Sequence, residues 1–331
     1  MKSVANAEMM HHRHCHVVAN AKNAIPFYHS MTRFNRMAKY DPKDKMKDNI
    51  HLGQRKLLMS EIQLLNMYFK KNPDGKPTIV YVGAAPGTHL QFLLFLFPKV
   101  RFILYDGAKF DTSLLDRRFE LHNEFFTDET CHAVKKHCAA LESDLLFISD
   151  IRLGANSHMK FEAQVERDNA LQLGWIKILK PKYSLIKFRL PYTLKHGDKV
   201  TYVKGKIMFQ IWPPPTSGET RLLVTRANIN TEAFYDFKTY EESLFFHNKW
   251  SRRFCFPVTD PSVKAIVTAK NNKYCTCYDC MAELYTLQQY VDLGIKENIT
   301  LDKIIQELGK KKYGLLPVPM IQGKPIEIYM K

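Results

Sequence analysis

Long apolar runs are missing from this 331-residue chain. None approaches the ~18 uncharged residues of a membrane-spanning helix, so no membrane role is expected. The opening stretch, MKSVANAEMMHHRHCHVV, lacks an apolar core, and no secretory signal is expected from it. A paired cysteine framework is missing too. Cys15, Cys131, Cys138, Cys255, Cys275, Cys277 and Cys280 are odd in number and irregularly spaced, as reduced thiols of a cytosol-like compartment are. Acidic residues are scarce: 33 Asp and Glu stand against 49 Lys and Arg, a formal net charge of +16. Such an imbalance favours a polyanionic partner, RNA or DNA, over charge kept for solubility. No internal repeat is present.

Also absent is a phosphate-binding P-loop, although the surroundings for one exist. Thr78–Val82 is rich in β-branched and aromatic residues and predicts a buried strand. It breaks into Gly83-Ala84-Ala85-Pro86-Gly87, and an apolar run from Leu90 to Phe97 follows that packs as a helix. Strand, small-residue turn and helix start form the nucleoside-cradling corner of doubly wound α/β domains. This turn has neither the G-x-G-x-x-G spacing nor the Lys-Ser/Thr that phosphate and Mg²⁺ require. Its small side chains let backbone approach a compact ligand, and Pro86 stiffens it. By itself it remains open to being a tight turn with no ligand.

Further strands are expected at Arg101–Tyr105, Leu145–Ser149, Ser184–Phe188, Val200–Trp212 and Arg221–Arg226. Helices are expected at 53–71 and near 161–179, and residues 231–331 read as mainly helical. Strands alternating with helices predict an α/β fold: a Rossmann-like, mostly parallel central sheet with helices on both faces. Ligands in such sheets lie outside the carboxyl ends of strands, which draws attention to polar residues there. Asp106 ends the second strand, where an acidic group accepts hydrogen bonds from a ribose, or else merely caps a helix. Asp150 ends the third strand, Lys187 lies between Ile186 and Phe188 in the fourth, and Glu219 opens the next. A lysine inside a buried strand is costly unless paired. Lys56 opens the early helix. Two lysines and two carboxylates converging would let one amine stay neutral and take a proton from a weakly acidic hydroxyl. Surface ion pairs are the alternative for each.

These segments, in order, carry a resemblance. GQRKLL (53–58), VYVGAAPGTH (80–89), LYDG (104–107), FISDIR (147–152), LIKFRLPY (185–192) and SGETRLL (217–223) are similar to the motifs of RNA 2′-O-ribose methyltransferases with a K-D-K-E tetrad. Most specifically they resemble the poxvirus family of cap-specific mRNA (nucleoside-2′-O-)methyltransferases, which doubles as the small, stimulatory subunit of the viral poly(A) polymerase. FtsJ-like enzymes are more distant. The similarity spans about Pro26 to Asn248. It implies an S-adenosylmethionine-dependent methyltransferase fold, with Lys56, Asp150, Lys187 and Glu219 as the tetrad and Lys187 as general base on a ribose 2′-hydroxyl. Gly83, Ala84, Ala85, Pro86 and Gly87, together with Gln54, His89 and Asp106, would hold S-adenosylmethionine. No metal is implied.

The resemblance further implies a cap pocket in which two aromatic rings sandwich the cationic N7-methylguanine. Tyr40 and Tyr192 match the rings, the second being Phe in the poxvirus sequences, and Glu241 matches an acidic partner. A second acidic position falls on Leu194, a departure: either Glu241 alone suffices, a nearby Asp198 takes over, or cap affinity is lower. Arg152, Arg189 and Arg221 flank tetrad residues and would face the transcript's phosphates, unless they serve as structural ion pairs. Cys275-x-Cys277-x-x-Cys280, with Cys255 upstream, could in principle hold Zn²⁺. It runs straight into a helical pattern, and the resembled family has no such set, so no metal is expected.

The expected organisation is a disordered tail at 1–22, whose HHRHCH stretch is read as flexible rather than metal-binding, and a methyltransferase domain with cap-binding elements at 23–255. A helical extension at 256–331 is expected to pack on that domain. Capped mRNA and a poly(A) polymerase catalytic subunit are the implied partners, and a host cytoplasm, viral factory or virion the implied location. A purely RNA-binding processivity subunit, and an FtsJ-like enzyme acting on uncapped RNA, remain as alternatives.

Overall fold

The computed structural model describes residues 16–17, 27–33, 35–41, 52–141, 143–152, 158–269, 275–310, 313, 315 and 326–327. Apart from 16–17, the tail at 1–22 lies outside them. The chain divides into two compact units that do not follow its linear order. One comprises Met67–Phe209 with Glu219–Glu241, and the other Met1–Asn66, Gln210–Gly218 and Glu242–Lys331.

The first unit is built on a seven-stranded sheet among the described residues. Its strands are β1 (Thr78–Val82), β2 (Arg101–Tyr105), β3 (Phe119–His122), β4 (Leu145–Ser149), β5 (Tyr183–Phe188), β7 (Lys206–Met208) and β8 (Thr220–Thr225), in the spatial order β3-β2-β1-β4-β5-β8-β7. The pairs β2–β3, β1–β2, β1–β4 and β4–β5 are parallel; β8 runs antiparallel to both β5 and β7. TIVYV, LLFIS and YSLIKF are buried along their whole length, as strands covered on both faces must be. That is why they read as unbroken apolar runs. The predicted strand Val200–Trp212 is instead broken at Lys204-Gly205. Its first part, β6 (Lys199–Val203), leaves the main sheet and pairs antiparallel with β9 (Glu232–Asp236), placing a strand where the sequence suggested helix.

Three helices of this unit are α2 (Leu90–Leu96), α3 (Asp128–Ala140) and α4 (His158–Leu179). Thr127 caps α3 by accepting from the Thr130 N–H, with Asp128 and Glu129 in the first turn where the helix dipole favours negative charge. Trp175 of α4 donates its indole N–H to Asp128 at 3.1 Å and ties the two helices together.

In the second unit, α1 (Gly53–Lys71) supplies its first turns, α5 (Phe237–Lys249) its last, and α6 (Pro261–Ala269), α7 (Tyr278–Asp292) and α8 (Leu301–Leu308) follow. Helix α7 is its centre. Most of its residues are buried, including the charged Asp279 and Glu283. Burying a carboxylate without a partner is prohibitive, and each has one. Arg55 grips Glu283 with two guanidinium nitrogens, the Nε bond being 2.6 Å, while Trp212 donates its indole N–H to the same carboxylate at 2.7 Å. Arg252 bonds Asp279 at 2.9 Å.

Candidate active site

Strand order reverses between β1 and β4: the chain builds outward on one side through β2 and β3, then returns to build the other side through β5. Such a switch point opens a crevice at the carboxyl ends of the two strands. The turn Gly83–Gly87 leaves β1 there and Asp150 leaves β4. Gly83 adopts a left-handed φ of +79°, and a Cβ on it would come within 2.9 Å of the Asp150 carbonyl carbon. Only glycine lets these two backbone segments run so close. Asp106, at the end of β2, accepts from the Ala85 N–H at 2.9 Å through one carboxylate oxygen and from Ala108 at 2.8 Å through the other. It therefore sets the shape of the small-residue corner, and each oxygen keeps a lone pair for another donor. His89 opens α2 with no exposed surface.

Register brings together three of the residues expected to form a tetrad, Asp150, Lys187 and Glu219. Ser149 pairs with Ile186, which carries Asp150 level with Lys187, and Lys187 stands directly opposite Arg221 on β8. Opposed residues of an antiparallel pair share a face, as do residues two apart, so Lys187, Arg221 and Glu219 point the same way. Lys187 Nζ lies 3.1 Å from Asp150 Oδ1 and 3.8 Å from Glu219 Oε2, with the amine almost buried. Arg221 adds a 2.5 Å bond to the same Asp150 oxygen. Burial works against the Arg221 charge, but Asp150, Tyr81 and Glu219 together outweigh it and hold the guanidinium above its ordinary range. Lys56 belongs to the other unit, where its backbone N–H bonds the Leu52 carbonyl at 2.7 Å in the first turn of α1.

The three arginines form ion pairs within the fold, while Arg152 Nη2 and Arg189 Nε are buried without a hydrogen-bond partner among the described residues. Arg152 pairs with Asp168 at 2.9 Å and Glu219 at 3.4 Å; Arg189 pairs with Glu162 at 2.6 Å; Arg221 pairs with Asp150. This is the structural ion-pair alternative for each. Glu162 gave no signal in the sequence, because a polar residue on a helix is ordinary. Its carboxylate nevertheless holds both Arg189 and the Tyr192 backbone N–H, the latter at 2.6 Å. Arg189 lies over the Tyr192 ring, 4.4 Å from its centroid, and Phe237 meets that ring edge-on. Glu241 is bonded to His196 at 2.9 Å, and His196 also flanks Phe237. Asp198, the proposed understudy for Leu194, accepts from the Lys195 N–H in a local turn. In the other unit Tyr40 is 45% exposed, with only its edge against Phe245, and Gln54 is partly exposed beside the buried Arg55.

A broad depression of about 1570 Å³ lies elsewhere on the first unit, lined by Lys76, Thr78, Lys99, Arg101, Arg118 and Asp144 among others. These residues mark the amino-terminal edge of the sheet, the edge opposite to Asp106, Asp150 and Lys187.

The strand order β3-β2-β1-β4-β5-β8-β7, with antiparallel β8 inserted before the last strand and a small-residue turn at the switch point, defines the Rossmann-like fold of S-adenosylmethionine-dependent methyltransferases. Comparison with known proteins makes the assignment narrower. The chain belongs to the poly(A) polymerase regulatory subunit family, whose sequence profile matches residues 23–308. The cap-specific mRNA (nucleoside-2′-O-)-methyltransferase of Myxoma virus (strain Lausanne) is 29% identical over 208 residues, 60% of this chain and 61% of that protein. The protein of the same name from Fowlpox virus (strain NVSL) is 30% identical, over 59% of this chain and 66% of its own length. The chain thus spans less than two-thirds of each of these relatives. Among solved structures, a ribosomal RNA methyltransferase from Plasmodium falciparum aligns with a TM-score of 0.32 and 14% identity, over 50% of this chain and 94% of its own.

Proposed function

We propose that the protein is a cap-specific mRNA 2′-O-ribose methyltransferase that modifies the first transcribed nucleotide, with Lys187 as general base. One observation carries the reading: a nearly buried lysine amine held between Asp150 and Glu219, beside a corner too tight for any residue but glycine. S-adenosylmethionine supplies, when bound, a methyl group activated by its sulfonium. The corner suits it chemically, since Asp106 has lone pairs for ribose hydroxyls and the turn has no cation to demand phosphate. Gly83, Ala84, Ala85, Pro86 and Gly87 would line the ligand, Gln54 is assigned by its motif alone, and buried His89 would act on the corner's shape.

The remaining work falls to the chain's own groups. Lys187 Nζ accepts the proton of the 2′-hydroxyl, and Asp150 and Glu219 hold the ammonium that results. General base catalysis of this kind contributes a factor of ~10²–10⁴. Orientation of acceptor and donor contributes ~7–11 kcal/mol. Lys56 is assigned to the tetrad by motif order. Tyr192 and Glu241, which flank Phe237 and His196 respectively, and Tyr40, by its KYDP motif, are assigned to stack and bond the methylated guanine. Arg152, Arg189 and Arg221, although ion-paired within the fold, are assigned to the transcript's phosphates by their place beside the tetrad residues. The family's name favours a second role, as partner of a poly(A) polymerase catalytic subunit, and the relatives' viral origin favours work in the host cytoplasm.

The test is methyl transfer from labelled S-adenosylmethionine to short capped and uncapped RNAs. Wild type is expected to label the capped RNA preferentially, and Lys187→Ala to lose ~10²-fold or more while still binding S-adenosylmethionine. Equal labelling of both RNAs would remove the cap. An active Lys187→Ala would remove the base.

A further inference from the structure

Three cysteines in the second unit meet at one point. The Sγ atoms of Cys275, Cys277 and Cys280 all lie within 4.8 Å of one another, and all three side chains are buried as thiols. We propose that they form a structural zinc site, independent of the catalytic reading above.

Spacing and local backbone favour this over packing of three small apolar groups. Tetrahedral coordination at a Zn–S distance of ≈ 2.3 Å sets neighbouring sulfurs about 3.8 Å apart, so closure onto a metal needs an adjustment of about 1 Å or less. Cys277 is the N-cap residue of α7, in extended conformation, and Cys280 lies in its first turn. The amino end of a helix presents backbone N–H groups and a positive field that favour the negative charge of a metal-bound sulfur, whereas burial pushes the metal-free Cys280 thiol up. The Cys277 N–H is turned back on Cys275 Sγ at 3.4 Å, an orientation that would also steady a metal-bound sulfur. An all-sulfur donor set selects soft ions, and three buried sulfurs suit zinc, with the fourth tetrahedral position filled by water or by a donor outside the three. Binding exchanges protons for metal: each coordinating thiol gives up one proton to solvent.

The site would staple two segments. The Phe256 N–H, next to the strand Phe254–Cys255, donates to the Thr276 carbonyl at 2.7 Å, in the middle of the Cys275–Cys277 pair. From the other side α7 departs with Asp279 and Glu283, whose partners are Arg252 and Arg55. Zinc at the head of α7 would therefore fix the helix that grips Arg55, the residue before Lys56.

Full-length protein, purified without a metal-affinity step, is analysed by mass spectrometry for a panel of metals. Thiols are then titrated with a mercurial while released zinc is read with a chromogenic chelator. One zinc per chain is expected, released in step with thiol modification, together with a lower melting temperature after chelation. The double variant Cys277→Ser/Cys280→Ser is expected to hold none. Trace zinc in the wild type, copper or iron in its place, a disulfide among the three, or stoichiometric zinc in the double variant would each overturn the proposal. If the double variant does not fold, titration of the wild type decides alone.

Discussion

Gly83 shows how a single hydrogen atom in place of a side chain shapes the site. Its positive φ and the 2.9 Å clash that an added Cβ would make with the Asp150 carbonyl carbon act together, so Gly83→Ala is expected to cost about 2 kcal/mol or more in denaturant unfolding. Gly174, inside α4 with open space around it, is expected to behave oppositely: Gly174→Ala stabilises by about 0.5–1 kcal/mol. His247 gives a pH signature. Burial, then the nearby charge of Arg252, hold its imidazole well below the usual range, so it folds neutral. The unfolded chain binds the proton first, near pH 6.5, and stability therefore falls as pH drops below that value, by up to ~1.4 kcal/mol per unit. Unfolding followed from pH 7.5 to 5 should show that slope, flattened in His247→Gln. At this scale the sequence was informative wherever chemistry and position were both unusual. Gly83 in a strand-ending turn and Lys187 in an apolar strand stood out, whereas Glu162 and the turn-shaping role of Asp106 depend on partners that only the fold supplies.

Elements were legible in proportion to their burial. β1, β4 and β5 are covered on both faces and appear in the sequence as plain apolar runs. Strand β3, FELH, is a short edge strand without a fully buried residue, and β9 is mostly exposed, so neither leaves an apolar pattern. The break between β6 and β7 falls at Gly205, where a Cβ would lie 2.7 Å from the Leu222 side chain. Helix α7 was recognisable as a helix but not as a core one, because its buried face includes charges whose partners come from distant segments. The Arg55–Glu283 pair tests that assembly. Glu283→Gln keeps the shape and the bond to Trp212 but strands a buried cation, and should destabilise by ~3–5 kcal/mol. Arg55→Met/Glu283→Leu should lose much less than the sum of the single changes, as a double-mutant cycle would show.

For the whole molecule, the order of motifs along the chain conveyed the fold class, while the two compact units interleave three and two chain segments in a way that no linear reading displays. The net charge of +16 pointed to a polyanionic partner, and the catalytic reading supplies one in capped mRNA. Both rest on where the methyl group ends up. Product RNA made with wild-type protein, digested to nucleosides and cap dinucleotides and resolved by mass spectrometry, locates it directly. The account predicts a single methyl on the ribose 2′-oxygen of the first transcribed nucleotide. A methyl on a base, on an internal ribose, or equally on uncapped RNA would contradict it.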